Sequence, residues 1–478
     1  MQHHKMPAIL HHSDANMRYA MVKCVFNVSR HGRNRALPPG GAKMARDEGA
    51  PQGPRIEIAP ESSLADEALE IRLAGFEPHQ RVNLGASLDD DAGKRWESHA
   101  VFTCDEDGMA DLSRHKPAAG TYKDADPMGL FWSMSPLDKS AGIYVKENTE
   151  PKKMTFTAQV DGAAAATREI ERLYLAPGVE RIPVSEGGIT GTYFKPVAAG
   201  PRPGIIVMHG TSNRIMEDRG SLLASRGYAV LSLLYFGGAG QPEDYIRIPV
   251  EYFEKCIAWL SARLEVREDG VALIGVSRGG EGALLVASKL EQVSAVVSIS
   301  GGGVVFEGLH KNPREAEADT PWTWRGEAVP FAKRKDSFAF TAKAIWSGMS
   351  GKPLSTLSTY IEGMKDEGSV DKATIEVEKI KGPVLLVSGK GDRVWPSSEL
   401  SRIALGRLEK NNHPYPCEHL DYDGAGHVVF MPYQPATVGY TRVFSGMALD
   451  FGGSPGANAR ASSDSWAKML SFLADALG

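Results

Sequence analysis

From Gly204 onward, several short segments are apolar along their whole length: GIIVM, AVLSLLYF, VALIGV, SAVVSIS and PVLLVSG. A strand with one face in water alternates apolar and polar side chains, so a run without alternation is buried on both faces. Between these runs lie stretches of helical period: around SLLASRGY, from about Val250 to Leu264, from Gly279 to Leu290 and from about Ser397 to Leu408. Such an order predicts a mostly parallel sheet flanked by helices. SSDSWAKMLSFLADAL follows, with Trp466, Met469, Leu470 and Leu473 on one helix face. The α/β part is expected over residues 166 to 478. A stretch at about 301 to 373, Gly-rich and then aromatic and basic, interrupts the alternation. An insertion there lies over the sheet's carboxyl edge, as a lid or substrate wall.

The preceding residues follow a different rule. RIEIAP, ALEIRLAGF, RVNLGASL, ESHAVFTC and KMTFTAQV alternate apolar and polar positions and are separated by turn signals such as PESS and DDDAGK. Residues 55 to 165 are therefore expected to form an immunoglobulin-like β-sandwich. Residues 1 to 54 show no sustained periodicity and are expected to be a disordered extension, with Met44 as an alternative start.

Of the 478 residues, 42% are apolar and 24% charged, which excludes a wholly disordered or collagen-like chain. The net charge of −5 gives no reason to expect nucleic acid as a partner. Cys24, Cys104, Cys256 and Cys417 lie far apart without a CxxC pair, which argues against a zinc site or disulfide framework and for a reducing compartment. No apolar run approaches the roughly 18 residues of a membrane helix, so stable membrane insertion is not expected. The amino terminus carries no secretory pattern, and a cytoplasmic location is expected.

The strongest chemical signal is Gly275-Val276-Ser277-Arg278-Gly279, set between the strand VALIG and the helix GEGALLVASKL. In that context GxSxG is a nucleophile elbow, a tight turn that lifts the serine hydroxyl above the sheet. The hydroxyl needs a base, and the base needs an orienting acid, in the chain order Ser, Asp or Glu, His. Asp392 directly follows the strand PVLLVSG, and His427 lies on the Gly-rich loop DGAGHVV after the last expected sheet strand. Asp421 and Asp423 are rival acids; His209 and His419 are rival bases. Two backbone N–H groups should form an oxyanion hole, one from Arg278 and the other from Gly210 or Thr211 in the loop after GIIVM.

These residues resemble the acyl-CoA thioesterase / bile acid-CoA:amino acid N-acyltransferase family. The likeness also rests on DPMGLFWS from Asp126, on LYLAPGVERIPV, on EYFEKCIAWL and on GAGHVVFMPYQP around His427. It covers roughly residues 55 to 478 and implies an α/β-hydrolase fold after a β-sandwich. It implies Ser277 as nucleophile, Asp392 as acid and His427 as base, with an acyl-CoA as substrate and neither metal nor organic cofactor. Serine at the nucleophile position implies hydrolysis of fatty acyl-CoA within lipid metabolism. Transfer of the acyl group to an amino acid, another esterase or peptidase activity, and non-catalytic acyl binding are the alternatives. Two departures from the family pattern stand out: the loop after the first core strand reads MHGTSN without adjacent glycines, and Arg278 follows the nucleophile. The Arg278 side chain is expected to meet a substrate anion or to point to solvent. The phosphates of coenzyme A call for a basic cluster, for which Lys333, Arg334 and Lys335 are candidates, against the alternative of a solvated turn. Trp322, Trp324, Phe331, Phe338 and Phe340 are candidates for an acyl tunnel or for core packing. Phe131 and Trp132 are expected near the domain interface.

Overall fold

Alternation in the first third of the chain becomes two sheets. The computed structural model describes residues 53–139, 142–197, 200–310, 317–429, 431–442 and 448–478. All but the last two residues of the expected extension lie outside these ranges. In chain order the first strands are β1 (Arg55–Ala59), β2 (Ser62–Leu64), β3 (Glu70–Ala74), β4 (Arg81–Asp89), β5 (Arg95–Thr103), β6 (Ala110–Asp111) and β7 (Ala119–Gly120). After a single helical turn, α1 (Gly129–Trp132), come β8 (Ser135–Pro136), β9 (Lys152–Val160) and β10 (Ala163–Leu173). One sheet has the order β1-β3-β6; the other runs β2-β10-β9-β4-β5-β7, with β8 beside β5. Ile56, Ile58, Ile71 and Leu73 of the first sheet meet Val82, Leu84, Phe102, Met154 and Phe156 of the second in one core.

β10 crosses residue 165, where the sandwich was expected to end, and pairs antiparallel with β9 over residues 163 to 172. Its sequence, AAAATREIERL, is rich in helix formers and buries only Ile170 and Arg172. A free sheet edge has overridden local propensity here.

The rest of the strands build an eight-stranded sheet. They are β11 (Glu180–Glu186), β12 (Ile189–Lys195), β13 (Arg202–Met208), β14 (Ala229–Leu234), then, past a two-residue β15 (Ile248–Pro249), β16 (Val266–Val276) and β17 (Val293–Ile299). Beyond the short β18 (Trp322–Trp324) and β19 (Glu327–Ala328), the sheet is completed by β20 (Val384–Gly389) and β21 (Cys417–Tyr422). Its order is β11-β12-β14-β13-β16-β17-β20-β21, antiparallel at the β11 edge and parallel from β14 to β21. Successive side chains face opposite sides. Ile205 and Val207 pack toward α2 (Glu217–Ser225) and the last helix, α9 (Pro455–Leu477). Ile206 and Met208 pack toward α3 (Val250–Ser261) and α4 (Arg278–Lys289). α8 (Ser397–Lys410) joins that second face through Ala404 and Leu408. This is an α/β-hydrolase fold.

The stretch between β17 and β20 holds β18, β19 and three helices, α5 (Phe338–Ser350), α6 (Leu357–Met364) and α7 (Glu367–Ala373). It returns to the sheet's carboxyl edge: the Thr356 and Leu357 N–H groups donate to the Arg393 carbonyl, and Leu354 N–H donates to Ala448 in β23 (Ala448–Asp450), which pairs with β22 (Tyr440–Arg442).

The sandwich and the larger sheet are joined by polar contacts. The carboxylate of Asp66 is buried and accepts from Arg226, at 2.8 and 3.2 Å, and from the Trp466 indole at 2.9 Å. The Trp132 carbonyl accepts from Ala436 N–H at 2.9 Å, and Thr437 donates to the Met134 carbonyl at 2.5 Å. Asp66→Ala leaves the Arg226 guanidinium and the Trp466 N–H without their shared acceptor. With Arg226 partly hydrated, the expected loss is about 2 kcal/mol, read as a lower urea midpoint by near-UV circular dichroism. An unchanged midpoint would mean that this contact does not stabilise the fold.

Candidate active site

Residue 277 sits where β16 turns into α4, with φ 56° and ψ −125°. This is strained backbone for a residue with a Cβ. The turn is held by the Ser277 N–H, which donates to the Ile299 carbonyl of β17 at 2.7 Å, and by the Ser277 carbonyl, which accepts from Gly280 at 2.8 Å. It also explains the glycines. A Cβ on Gly275 would lie 2.0 Å from the Gly279 carbonyl oxygen, and one on Gly279 would lie 2.2 Å from the His209 carbonyl oxygen. Neither position has room for a side chain.

Parallel pairing brings three loops to the same edge. His427 Nε2 lies 2.9 Å from Ser277 Oγ, and His427 Nδ1 lies 2.7 Å from Asp392 Oδ2. Both His427 and Asp392 are buried. With Nδ1–H donated to the carboxylate, Nε2 is left as the acceptor for the serine hydroxyl. Asp392 is further fixed by three donors: Val394 N–H at 2.8 Å and Trp395 N–H at 3.3 Å on Oδ1, and the Ser397 hydroxyl at 2.7 Å on Oδ2. The His427 backbone is clamped by its own N–H to the Phe451 carbonyl at 2.7 Å and by the Ser300 hydroxyl to its carbonyl at 2.8 Å. Neither Ser300 nor Ser397 stands out in the sequence. The only signal for Ser397 was a serine at the start of a helix shortly after Asp392.

The rival acids and bases are engaged elsewhere. Asp421 accepts from Ser388, Ser398 and Arg402, and Asp423 pairs with Lys390 at 2.9 Å. His419 Nε2 lies 2.7 Å from the Ser388 hydroxyl. His209 stacks on Tyr235 with ring centroids 4.1 Å apart, and its Nδ1 lies 2.6 Å from the Gly210 carbonyl oxygen.

The expected oxyanion donors lie beside the serine. Arg278 is the first residue of α4, so its N–H belongs to the turn whose amides have no intrahelical partner. Gly210 packs so closely that a Cβ there would lie 3.1 Å from Ser277 Cβ, and Thr211 follows it in the same loop. Among the described residues, no group of three or more His, Cys, Asp or Glu is arranged to hold a metal ion.

The side chain of Arg278 corrects both expectations for it. It neither meets solvent nor lies free for an anion. It is buried, with Nη1 2.8 Å from Glu281 and Nη2 donating to the Phe306 and Glu307 carbonyls at 2.7 and 3.0 Å. Glu281 also accepts from the Trp322 indole at 2.9 Å; burial raises its carboxyl to about 6 against the pull of Arg278. The two residues are three apart in α4, but the sequence could not reveal that the pair is buried, because Phe306 and Trp322 reach it from the insertion.

Lys333, Arg334 and Lys335 do not converge as a cluster. Arg334 pairs with Glu307 at 2.8 Å, Lys335 lies 3.7 Å from Asp366, and Lys333 is exposed. Of the aromatics expected to line a tunnel, Trp322 is in the core with Tyr235 and Phe253, and Trp324 and Phe331 pack on that core. Phe340 is partly buried, and Phe338 is exposed. Phe131 is in the sandwich core, while Trp132 is half-buried and meets the chain after His427 through its carbonyl.

Comparison with known proteins agrees with this architecture at both ends. Residues 66–186 match the family described as acyl-CoA thioester hydrolase/BAAT N-terminal region, and residues 248–478 match BAAT / acyl-CoA thioester hydrolase C terminal. The human protein named acyl-coenzyme A thioesterase 1 is 31% identical over 427 residues, covering 86% of this chain and 94% of its own. The human acyl-coenzyme A thioesterase 2, mitochondrial, is 32% identical, covering 86% of this chain and 82% of its own. The mouse peroxisomal succinyl-coenzyme A thioesterase is 30% identical, covering 86% and 94%.

His209 supplies a pH test of the loop beside the serine. Burial pushes its imidazole down from the ordinary 6.5 to about 4. Between those values the unfolded chain binds a proton that the folded protein does not. Its contribution to stability is therefore complete above about pH 6.5 and is lost as the pH falls toward about 4. In His209→Gln the urea midpoint should fall less between about pH 7 and about pH 4.5 than in the wild type. Equal falls would place the acid sensitivity elsewhere.

Proposed function

Because this chain belongs to the acyl-CoA thioesterase / bile acid-CoA:amino acid N-acyltransferase family, we propose that it hydrolyses fatty acyl-CoA to free fatty acid and CoA through an acyl-enzyme. The observation that carries the reading is the hydrogen-bonded chain from Ser277 through His427 to Asp392, at the carboxyl edge of an α/β-hydrolase sheet.

In this mechanism His427 Nε2 takes the proton of Ser277 as Oγ attacks the thioester carbonyl. Asp392 holds the imidazole in the required tautomer and stabilises its charged form; Ser397 and two backbone amides keep the carboxylate in place. The N–H of Arg278, with that of Gly210 or Thr211, faces the developing oxyanion, a role worth about 10²–10³ in rate per donor. The tetrahedral adduct collapses, the C–S bond breaks and CoA leaves as the thiol with the proton from His427. A thiol with a pKa near 8.5 needs less help in leaving than an amine or alkoxide. Water then loses a proton to His427 and attacks the acyl-Ser277 ester, releasing the acid and restoring the serine.

The same proposal treats the sandwich as a supporting domain and the insertion at about 301 to 373 as a wall of the substrate site, because its chain binds Arg393 beside Asp392. It also includes a cytoplasmic location, which suits the free thiols Cys104, Cys256 and Cys417. No helix among the described residues is long and apolar enough to cross a membrane.

The test is thiol release from a series of acyl-CoAs, from acetyl through long-chain, with succinyl-CoA and a bile-acyl-CoA, in the presence and absence of glycine or taurine. Free acid and CoA are the expected products at all acceptor concentrations. Ser277→Ala should lower the rate by about 10⁴–10⁶ and Asp392→Asn by about 10⁴. Conjugated amide as product would make the protein a transferase, and retained activity in Ser277→Ala would remove the serine from the chemistry.

A further inference from the structure

Helix α5 presents its apolar face to solvent. Phe338, Ala342, Ile345 and Met349 recur at the spacing that aligns side chains along one stripe, and Trp346 stands beside them. Phe338 is 91% exposed, Met349 78%, Ile345 61% and Trp346 60%. The opposite face is the one that meets the protein: Ser347 is buried and donates to the Lys352 carbonyl at 2.6 Å, and Phe340 and Ala344 are partly covered. The helix is well formed. Ser337 caps its first turn by accepting from Phe340 N–H, and Gly351 ends it at φ 68°.

The charge around this stripe has one sign. Between residues 333 and 352 the only acidic residue is Asp336, against Lys333, Arg334, Lys335, Lys343 and Lys352. Arg334 is taken up by Glu307 and Lys335 lies near Asp366; Lys333, Lys343 and Lys352 are exposed and have no ion-pair partner among the described residues. They stand before, within and after the helix. This cluster belongs to a chain whose net charge is −5, so it is not a sample of the general surface.

We propose that α5 is an interfacial helix that docks the protein on an anionic phospholipid bilayer. An exposed apolar stripe bordered by lysines is the pattern that inserts to the level of the headgroups, the lysines meeting phosphate and the apolar side chains entering the acyl boundary. At 13 residues the helix is about 20 Å long, too short to span and suited to lie in the plane. Charge favours lipid over a second copy of this chain, because a two-fold contact would bring the same lysines toward one another. Docking has a topological use. The chain leaving α5 binds the backbone of Arg393, next to Asp392, so the helix stands at the edge that carries Ser277 and His427. The reacting edge would then be held at the lipid surface, where long-chain acyl-CoA accumulates. This goes beyond the thioesterase reading, and vesicle binding is measured without substrate, so either can fail alone.

The full chain is sedimented with phosphatidylcholine vesicles with and without phosphatidylserine, at low and high salt. Binding is expected with phosphatidylserine and should weaken with salt. Ile345→Glu/Trp346→Glu should reduce the bound fraction about tenfold, and Lys343→Glu/Lys352→Glu should remove the preference for phosphatidylserine. Both variants should keep the wild-type urea midpoint, which excludes misfolding as the cause. Absence of wild-type binding at low salt, or equal binding by Ile345→Glu/Trp346→Glu, would overturn the proposal. So would a wild-type dimer that this double variant converts to monomer, which would make the face a self-interface.

Discussion

One backbone constraint organises the site: the turn that holds Ser277 at φ 56° between β16 and α4. The turn exists because the strand on one side and the helix on the other are both buried and cannot relax it. Its amide is tied to β17, and its flanking glycines touch the backbone of α4 and of the His209 loop. The same compaction brings the Gly210 loop against the Ser277 side chain. Strain at Ser277 is therefore maintained by the whole sheet.

The second constraint comes from outside the sheet. The chain after His427 is gripped by the sandwich: Trp132 and Met134 accept from Ala436 and Thr437, and Gln434 reaches the Tyr174 hydroxyl at 3.1 Å. Among the described residues the loop bearing His427 is thus fixed on one side by Phe451 and Ser300 and on the other by an independent β structure. This makes the sandwich part of the scaffold of His427.

What could be read from sequence was whatever depends on strand ends. Ser277, Asp392 and His427 each follow a segment whose apolar run or Gly-rich exit marks the carboxyl edge, so their convergence was legible without coordinates. What could not be read depends on partners distant in sequence. Arg278 looks solvent-facing until Phe306 and Glu307 close around it. Phe338 looks like a tunnel or core residue because pattern reports that a face is apolar, not what it meets.

The clasp between Asp66 and Trp466 joins residues 400 positions apart, and Ser135 meets Thr437 across 302. On the ribosome the chain grows from its amino end at roughly 5–20 residues per second. The sandwich is complete once β10 has emerged, so it can close roughly 15–60 s before its partner in α9 has been made. Asp66 and the carbonyls of Trp132 and Met134 wait through that interval as unpaired sites, and His427 emerges 150 residues after Ser277. Until the segment that carries His427 has been made, a nascent chain can carry a folded sandwich and Ser277 without the imidazole that its hydroxyl meets in the complete fold.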